Sequence, residues 1–212
     1  MRTEDLLVYL VTDRILCLGR SLEEVVAEAA SGGCTMVQLR EKDADTGEFV
    51  ELARSLHRLL KPRNIPLLIN DRVDVALAAG VEGVHVGQSD MLPEDVRRLI
   101  GPNAIVGLSV DTEAELLDAQ NRPVDYLGIG PVYPTDTKKD IKGTPWGPEG
   151  LRRAVELSSI PLVAIGGVQR DNAHAVSGSG VAGIAVVSAI CSAPSPAEAT
   201  RALVRAMKEG AQ

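Results

Sequence analysis

Gln38, Arg40 and Lys42 alternate with Leu39 and Glu41 at the end of the apolar run that begins Met36-Val37. Successive side chains of a β-strand point to opposite faces, so the amide and the two cations share one face while Val37 and Leu39 take the other. Desolvating two positive charges is costly unless something anionic compensates them. Glu41 is a single charge and points to the wrong face. The pentapeptide therefore suits a strand end that faces an anionic, hydrogen-bonding ligand. Taken alone, it is described better by a strand running out into solvent, where Arg and Lys are common. The rest of the chain tips the balance toward a ligand.

Comparable polar groups follow the other apolar runs. Thr12 and Asp13 come after the first and Asn70-Asp71 after the third. The fourth runs through His85 to Gln88 and Asp90, and the fifth ends in Ser109. Beyond the sixth lies Thr135-Asp136-Thr137-Lys138-Lys139; the seventh ends in Gly166-Gly167 and the eighth in Val187-Ser188. Asp71 and Asp90 are the candidate metal pair, because hard carboxylate oxygens without a His or Cys set suit Mg²⁺ held together with substrate phosphates. Each aspartate by itself also suits a cap or turn, Asp90 before Pro93 in particular. Gly166-Gly167 lets a backbone approach a phosphate closely, and Val187-Ser188 can add amide donors. A helix-entry turn would need the same glycines. The connection at about 132–148 has no apolar period, and loops of that length in a compact domain are usually functional or disordered. A mobile lid and a solvated charged loop both fit it. His85 lies between Val84 and Val86 and so faces inward, where it reads as a satisfied core histidine and not as a proton carrier; His57 and His174 read as surface residues.

Bulk properties narrow the partners. The net charge of −7 argues against nucleic acid or an anionic membrane, so an anionic ligand must meet a local cation cluster or a metal. The three cysteines are widely spaced and read as reduced core thiols of a cytoplasmic protein. Glu4 and Asp5 precede a short apolar run that does not resemble a signal peptide, and no apolar run approaches a membrane-spanning length. With 45% hydrophobic and 2% aromatic residues, the core must be mostly aliphatic.

The elements that must position these groups are short and repetitive. Apolar runs occur at Leu6 to Val11, Met36 to Leu39, Pro66 to Ile69, Gly83 to Val86, Ile105 to Leu108, Tyr126 to Ile129, Pro161 to Ile165 and Gly183 to Val187. They are rich in Val, Ile and Leu, as buried parallel strands are. Helical patterns lie between them, with capping-box spacing at Ser21/Glu24 and Thr112/Glu115, and a start at Ser195-Pro196 with Glu198. A short helix is expected over Val73 to Ala79. Eight strand–helix units in 212 residues point to one domain over 1–212, an α/β chain closed as a (β/α)8 barrel. A doubly wound open sheet is the runner-up, and both folds put the ligand at the carboxyl ends of the strands.

Assembled in order, the strand ends resemble the thiamine-phosphate synthase family over essentially the whole chain. The stretches that carry the resemblance are Tyr9-Leu-Val-Thr-Asp13, Gln38-Leu-Arg-Glu-Lys42, Ile69-Asn-Asp-Arg72, Gly83-Val-His-Val-Gly-Gln88 with Asp90, and Gly107-Leu-Ser109. Gly128-Ile-Gly-Pro131, Thr135-Asp-Thr-Lys-Lys-Asp140, Ala164-Ile-Gly-Gly167 and Val187-Ser-Ala189 continue it. The resemblance implies a (β/α)8 barrel that joins a pyrimidine diphosphate to a thiazole phosphate with Mg²⁺, releasing thiamine phosphate and pyrophosphate. It assigns Gln38, Arg40, Lys42, Asn70, Ser109 and Lys138 to the pyrimidine diphosphate, with Leu39 and Glu41 as further substrate-binding positions. Asp71 and Asp90 hold the metal; Thr135, Asp136, Thr137, Gly167, Val187 and Ser188 receive the thiazole phosphate. The reaction implied is a dissociative displacement that needs no protein nucleophile, with Arg40, Lys42, Lys138 and Ser109 as the catalytic set.

Three rival functions fit the residues less well. A thiazole tautomerase of the same superfamily would have little use for Arg40, Lys42, Lys138 and both aspartates. A non-catalytic thiamine or thiazole phosphate sensor should have lost the metal carboxylates. A sugar-phosphate isomerase, with Lys42 as its base, leaves the carboxylate pair unexplained. The sequence leaves the oligomeric state open, a homo-oligomer included. Lys138→Ala is expected to lower kcat by roughly 10²–10³, the usual cost of one preorganised donor to a developing anion. A raised KM at unchanged kcat would instead show that Lys138 only anchors substrate.

Overall fold

Every aliphatic run becomes a strand, and the strands alternate with helices. In the computed structural model, which describes residues 1–135 and 144–210, the strands are β1 (Val8–Val11), β2 (Met36–Leu39), β3 (Leu67–Asn70), β4 (Gly83–Val86), β5 (Ile105–Val110), β6 (Tyr126–Ile129), β7 (Leu162–Ile165) and β8 (Gly183–Val186). Each pairs in parallel with the next, and β8 pairs back onto β1 through Val8↔Ile184, closing the barrel. The open doubly wound sheet is thereby excluded. Closure leaves no sheet edge with unpaired backbone groups. No helix among the described residues is long and apolar enough to cross a membrane.

The helices start where the sequence signals them. Helix α1 (Leu22–Ser31) opens with Ser21 Oγ accepting the Glu24 N–H at 3.2 Å while Glu24 accepts the Ser21 N–H at 2.9 Å. The same reciprocal bond joins Thr112 and Glu115 at the start of α5 (Glu113–Ala119). Between them come α2 (Thr46–Leu60), the short α3 (Val73–Ala79) and α4 (Pro93–Ile100). Then follow α6 (Gly147–Leu157), α7 (Ala173–Ser177), the single-turn α8 (Ser188–Cys191) and α9 (Pro196–Gly210). Ser195 Oγ accepts the Glu198 N–H at the start of α9. The predicted first run is shorter than its apolar pattern, because Thr3–Leu6 winds into a 3-10 turn that places Leu6 under the barrel.

Strand alternation divides the core in two. Val8, Leu10, Val37, Leu39, Val84 and Val86 pack outward against the helices. Leu6, Tyr9, Val11, Met36, Leu68, Ile105, Tyr126, Val163 and Ala185 fill the barrel interior. A fully buried aliphatic side chain contributes roughly 1.5–3 kcal/mol, so both layers drive folding. At the amino ends of the strands, polar side chains bond backbone: Thr35 Oγ1 accepts the Val8 N–H, Glu82 the Leu67 N–H and Asp125 the Val106 N–H, each at 2.8–3.0 Å. Those groups are used up holding the fold. At the opposite, carboxyl-terminal mouth the polar side chains meet one another.

Tyr126 fits inside the barrel because β5 carries glycine opposite it. A Cβ on Gly107 would run into the Tyr126 ring and hydroxyl and into His85 Nδ1. Gly107→Ala is therefore expected to destabilise the fold by about 1–3 kcal/mol, the usual cost of overpacking a closed core. Urea denaturation measures this; an unchanged midpoint would mean that the interior has slack there.

Candidate active site at the barrel mouth

Strand register brings the predicted residues of β2, β3, β4 and β5 to one mouth. Gln38 continues the inward face of β2 below Arg40 and is 4% exposed. The backbone N–H of Arg40 donates to Thr12 Oγ1 at 3.0 Å, which ties the end of β2 to the end of β1. The Arg40 guanidinium lies 3.9 Å from Asp13 and close enough to Asp71 to favour its charged form. Lys42 is exposed on the rim. With Asp13, Arg14, Arg40, Glu41 and Glu48 it lines a groove of about 340 Å³.

Two positions of the pentapeptide behave differently from its inward face. Leu39 is fully buried in the outer layer against the helices, so its side chain cannot meet a ligand in the mouth. Alternation along β2 is the reason. Glu41 pairs with Arg14 at 3.3 Å through Oε2, while Oε1 is buried with no hydrogen-bond partner among the described residues.

Asp71 and Asp90 come together from the ends of β3 and β4. Asp71 holds φ 61°, a left-handed backbone conformation uncommon for non-glycine residues, although Asn, Asp and His adopt it more readily than the rest. Such strain persists where the surroundings over-determine it. Asn70 Nδ2 donates to Asp71 Oδ2 at 2.6 Å, and the Gly87 N–H donates to Asp90 Oδ2 at 2.8 Å. Crowding of the Asp71 carboxyl by protein, with the Asp90 charge and contact next, pushes it up to about 6; Asn70 and Arg40 pull the other way. The residue keeps an exposed surface, so the like charge at contact is the cause that the geometry supports most directly. Among the described residues no group of three or more His, Cys, Asp or Glu side chains converges as a ready-made metal cage. Two carboxylates in contact, short of positive charge, fit a hard divalent cation whose remaining ligands come from phosphate and water.

Gly166 and Gly167 follow β7 with φ 98° and 68°. A Cβ on Gly166 would meet Pro131 at 2.8 Å and one on Gly167 would meet Tyr133 at 2.7 Å, so close packing on the 131–135 segment requires both glycines. Asn172 Nδ2 donates to the Gly167 carbonyl at 3.0 Å. Val187 and Ser188, at the end of β8, open α8, and Ser188 Oγ lies 3.5 Å from Gln169 Nε2. Thr135 is half-buried beside Gly166. Asp136, Thr137 and Lys138, with the middle of the 132–148 connection, lie outside the described residues. Trp146 precedes α6, packs partly against the outer core and donates its indole N–H to the Asp111 carbonyl at 3.2 Å.

Beneath the mouth runs a hydrogen-bonded chain that the order of residues does not reveal. Gln38 Nε2 donates to Tyr9 Oη at 2.6 Å, Tyr9 Oη lies 2.9 Å from Tyr126 Oη, and Tyr126 Oη lies 2.8 Å from His85 Nδ1. His85 Nε2 then lies 2.9 Å from Ser109 Oγ. The expectation of a satisfied core histidine agrees with this, since both ring nitrogens have partners. Burial pushes both phenols well above their ordinary range, so both hydroxyls keep their protons. The available signal in the sequence is two tyrosines at inward positions of an otherwise aliphatic interior.

The mouth thus sets the cations Arg40 and Lys42 near a carboxylate pair, above a hydrogen-bonded polar floor. Residues 8–190 match the family described as thiamine monophosphate synthase. A thiamine-phosphate synthase from Solidesulfovibrio magneticus is 56% identical over 196 residues, covering 92% of both chains. One from Albidiferax ferrireducens is 50% identical over 196 residues, covering 92% of this chain and 89% of the relative. The structure of a thiamine phosphate pyrophosphorylase from Pyrococcus furiosus superposes with a TM-score of 0.90 at 41% identity, covering 99% of each chain. The resemblance read from the strand ends is thus matched along the whole barrel, and the chain belongs to the thiamine monophosphate synthase family.

Proposed function

We propose that this barrel is a thiamine-phosphate synthase. It would join 4-amino-2-methyl-5-hydroxymethylpyrimidine diphosphate to 4-methyl-5-(2-phosphoethyl)thiazole, or to its carboxylated form, and yield thiamine phosphate and pyrophosphate. The observation that carries the reading is Arg40 set against the Asp71–Asp90 contact at the mouth, with the inward Gln38 and Ser109 below. A diphosphate needs the cation, and a divalent metal needs the carboxylates. Free thiols at Cys17, Cys34 and Cys191 suit the cytoplasm as the place of work.

In this reading the bond between the pyrimidine methylene and the diphosphate oxygen breaks, and pyrophosphate leaves with the electron pair. The thiazole nitrogen then attacks the methylene cation. Arg40 and Lys42 offset charge that builds on the leaving group, work that a water-excluded site makes more effective. Lys138 is assigned the same task from the sequence alone. Gln38, Asn70 and Ser109 orient the pyrimidine. Thr135, Gly167, Val187 and Ser188, together with Asp136 and Thr137, take the thiazole phosphate. Mg²⁺, which Asp71 and Asp90 would hold, supplies Lewis-acid neutralisation of the diphosphate when bound.

Incubation of the purified protein with both substrates should give thiamine phosphate and pyrophosphate in equal amounts, and only when Mg²⁺ is present. Folded protein that makes neither product would sink the proposal and bring the tautomerase and sensor readings forward.

The carboxylate pair makes a separate prediction about stability. An ordinary Asp titrates at about 3.9; in the folded protein, crowding and the neighbouring Asp90 charge push the Asp71 carboxyl up to about 6. The folded state therefore binds a proton that the unfolded chain has already released between those values. The contribution of this one carboxyl to stability is therefore fully present below about pH 4, falls as pH rises from about 4 to about 6, and is lost above that. Asp71→Asn, which tolerates the left-handed backbone, should raise the metal-free Tm at about pH 7.5, and the gain should shrink toward zero at about pH 4. Mg²⁺ should raise the Tm of the parent at about pH 7.5 but not that of the variant. An identical Tm difference at both pH values would show that like-charge repulsion is not what the substitution relieves.

A further inference from the structure

The chain Gln38–Tyr9–Tyr126–His85–Ser109 crosses the barrel interior from β2 through β1 and β6 to β4 and β5. Its members are largely excluded from water: Tyr9 is 1% exposed, Tyr126 0%, Gln38 4% and His85 8%. Buried polar hydrogens need acceptors, since leaving one unpaired costs about 1–3 kcal/mol. That requirement sets a direction. Gln38 Nε2 can only donate, so Tyr9 Oη accepts there and directs its own hydrogen to Tyr126 Oη. Tyr126 in turn donates to His85 Nδ1. His85 is then neutral with its hydrogen on Nε2, and it donates to Ser109 Oγ.

The two ends of the chain are both residues that the proposed function gives to the pyrimidine. At one end Gln38 has committed one N–H to Tyr9, which leaves Oε1 and its second N–H for a ligand. That adjacent acceptor and donor match an exocyclic amine beside a ring nitrogen, the pairing by which Gln recognises adenine. At the other end Ser109 Oγ accepts from His85 and keeps its hydroxyl hydrogen to donate. Gln88 Nε2 donates to the Ser109 carbonyl at 2.7 Å and pins that strand end. A 4-oxo ring presents the reverse pattern, a carbonyl beside a ring N–H. Gln38 could meet it only by rotating its amide and turning Oε1 toward Tyr9. Tyr9 and Tyr126 would then have to reverse their hydrogens and His85 change tautomer, and Ser109 would give up its hydrogen to His85. The links change together or not at all.

We propose that Tyr126, with Tyr9 and His85, is a positioning residue that fixes the faces which Gln38 and Ser109 present, and thereby selects a 4-aminopyrimidine over a 4-oxopyrimidine. The inference rests on the mouth being the pyrimidine diphosphate site. The glycines of β5 and β6 make the room for it. A Cβ at Gly107 would strike Tyr126 and His85, and one at Gly128 would come within 3.1 Å of His85. Tyr126→Phe keeps the ring that fills this space and removes only the central hydroxyl. Tyr9 could then turn its hydrogen toward Gln38 Oε1, and the amide could rotate without the rest of the chain.

The test measures, by calorimetry without the thiazole, binding of the 4-amino and 4-oxo forms of the hydroxymethylpyrimidine diphosphate in the presence of Mg²⁺. The parent should prefer the amino form, and Tyr126→Phe should reduce that preference by roughly 10–100-fold, mostly by gaining affinity for the oxo form. Equal loss of affinity for both rings, or an unchanged preference, would overturn the proposal, because a residue that only supports the fold weakens both alike. Should Tyr126→Phe fail to fold, nitrogen NMR of the parent decides, since only three histidines must be assigned. A neutral His85 protonated on Nε2 supports the stated direction, and protonation on Nδ1 refutes it. A parent that binds neither ring while His85 shows the expected tautomer would put the failure in the proposed substrate, and the selectivity inference would fall with it.

Discussion

Closure of the parallel sheet is the constraint on which the rest of this molecule depends. Pairing β8 back onto β1 satisfies the backbone along both sides of every strand, but it also commits alternate side chains to a narrow interior. Aliphatic residues and two tyrosines fill that interior. At the mouth, where the barrel opens, the same inward positions are free to carry Gln38, Arg40 and Ser109. The site is a consequence of strand parity as much as of residue choice. Leu39 illustrates the point, because one step along β2 moves a side chain from the interior side to the helix side.

Electrostatics at the mouth is unbalanced toward negative charge at Asp71 and Asp90, in the direction that a divalent cation would offset. Asp71 and Asp90 repel one another, and Asp71 is held in a left-handed backbone conformation besides. Arg40 stands near enough to relieve part of that repulsion while Asp13 competes for it. Polar residues at the other end of the barrel contrast with these, since Thr35, Glu82 and Asp125 are consumed by backbone N–H groups. Uncompensated charge at one end and satisfied charge at the other distinguish a functional face from a structural one. Functional residues that give up stability in this way are those expected to meet a ligand.

Buried polarity in the interior serves a different end. Tyr126 and His85 take up interior space that requires glycine at Gly107 and leaves little room for a side chain at Gly128. A fully satisfied hydrogen-bonded network rigidifies its members and specifies one arrangement. Here the arrangement reaches from one wall of the barrel to the other and ends on side chains that face the mouth. Rigidity of the interior and the orientation of Gln38 and Ser109 become one property.

Much of this was legible in the amino-acid order. The eight aliphatic runs, the capping pairs Ser21/Glu24 and Thr112/Glu115, and the proline start of α9 are local signals, and local physics suffices to place them. The ordered polar strand ends likewise pointed to a ligand at the mouth and to the family. Barrel closure was only one of two readings, because alternation of strand and helix is common to open and closed sheets. Contact between Asp71 and Asp90, the outward burial of Leu39 and the packing of Gly166-Gly167 on Pro131 and Tyr133 had to await the tertiary structure. So did the chain through Tyr9, Tyr126 and His85, whose residues lie on three strands far apart in sequence. Sequence alone determined which elements form and which chemical groups stand at their ends, since period, caps and strand parity act over a few residues. Only the tertiary structure decided which of those groups touch, because hydrogen bonds and charge repulsion act over ångströms in space and carry no trace in the spacing along the chain.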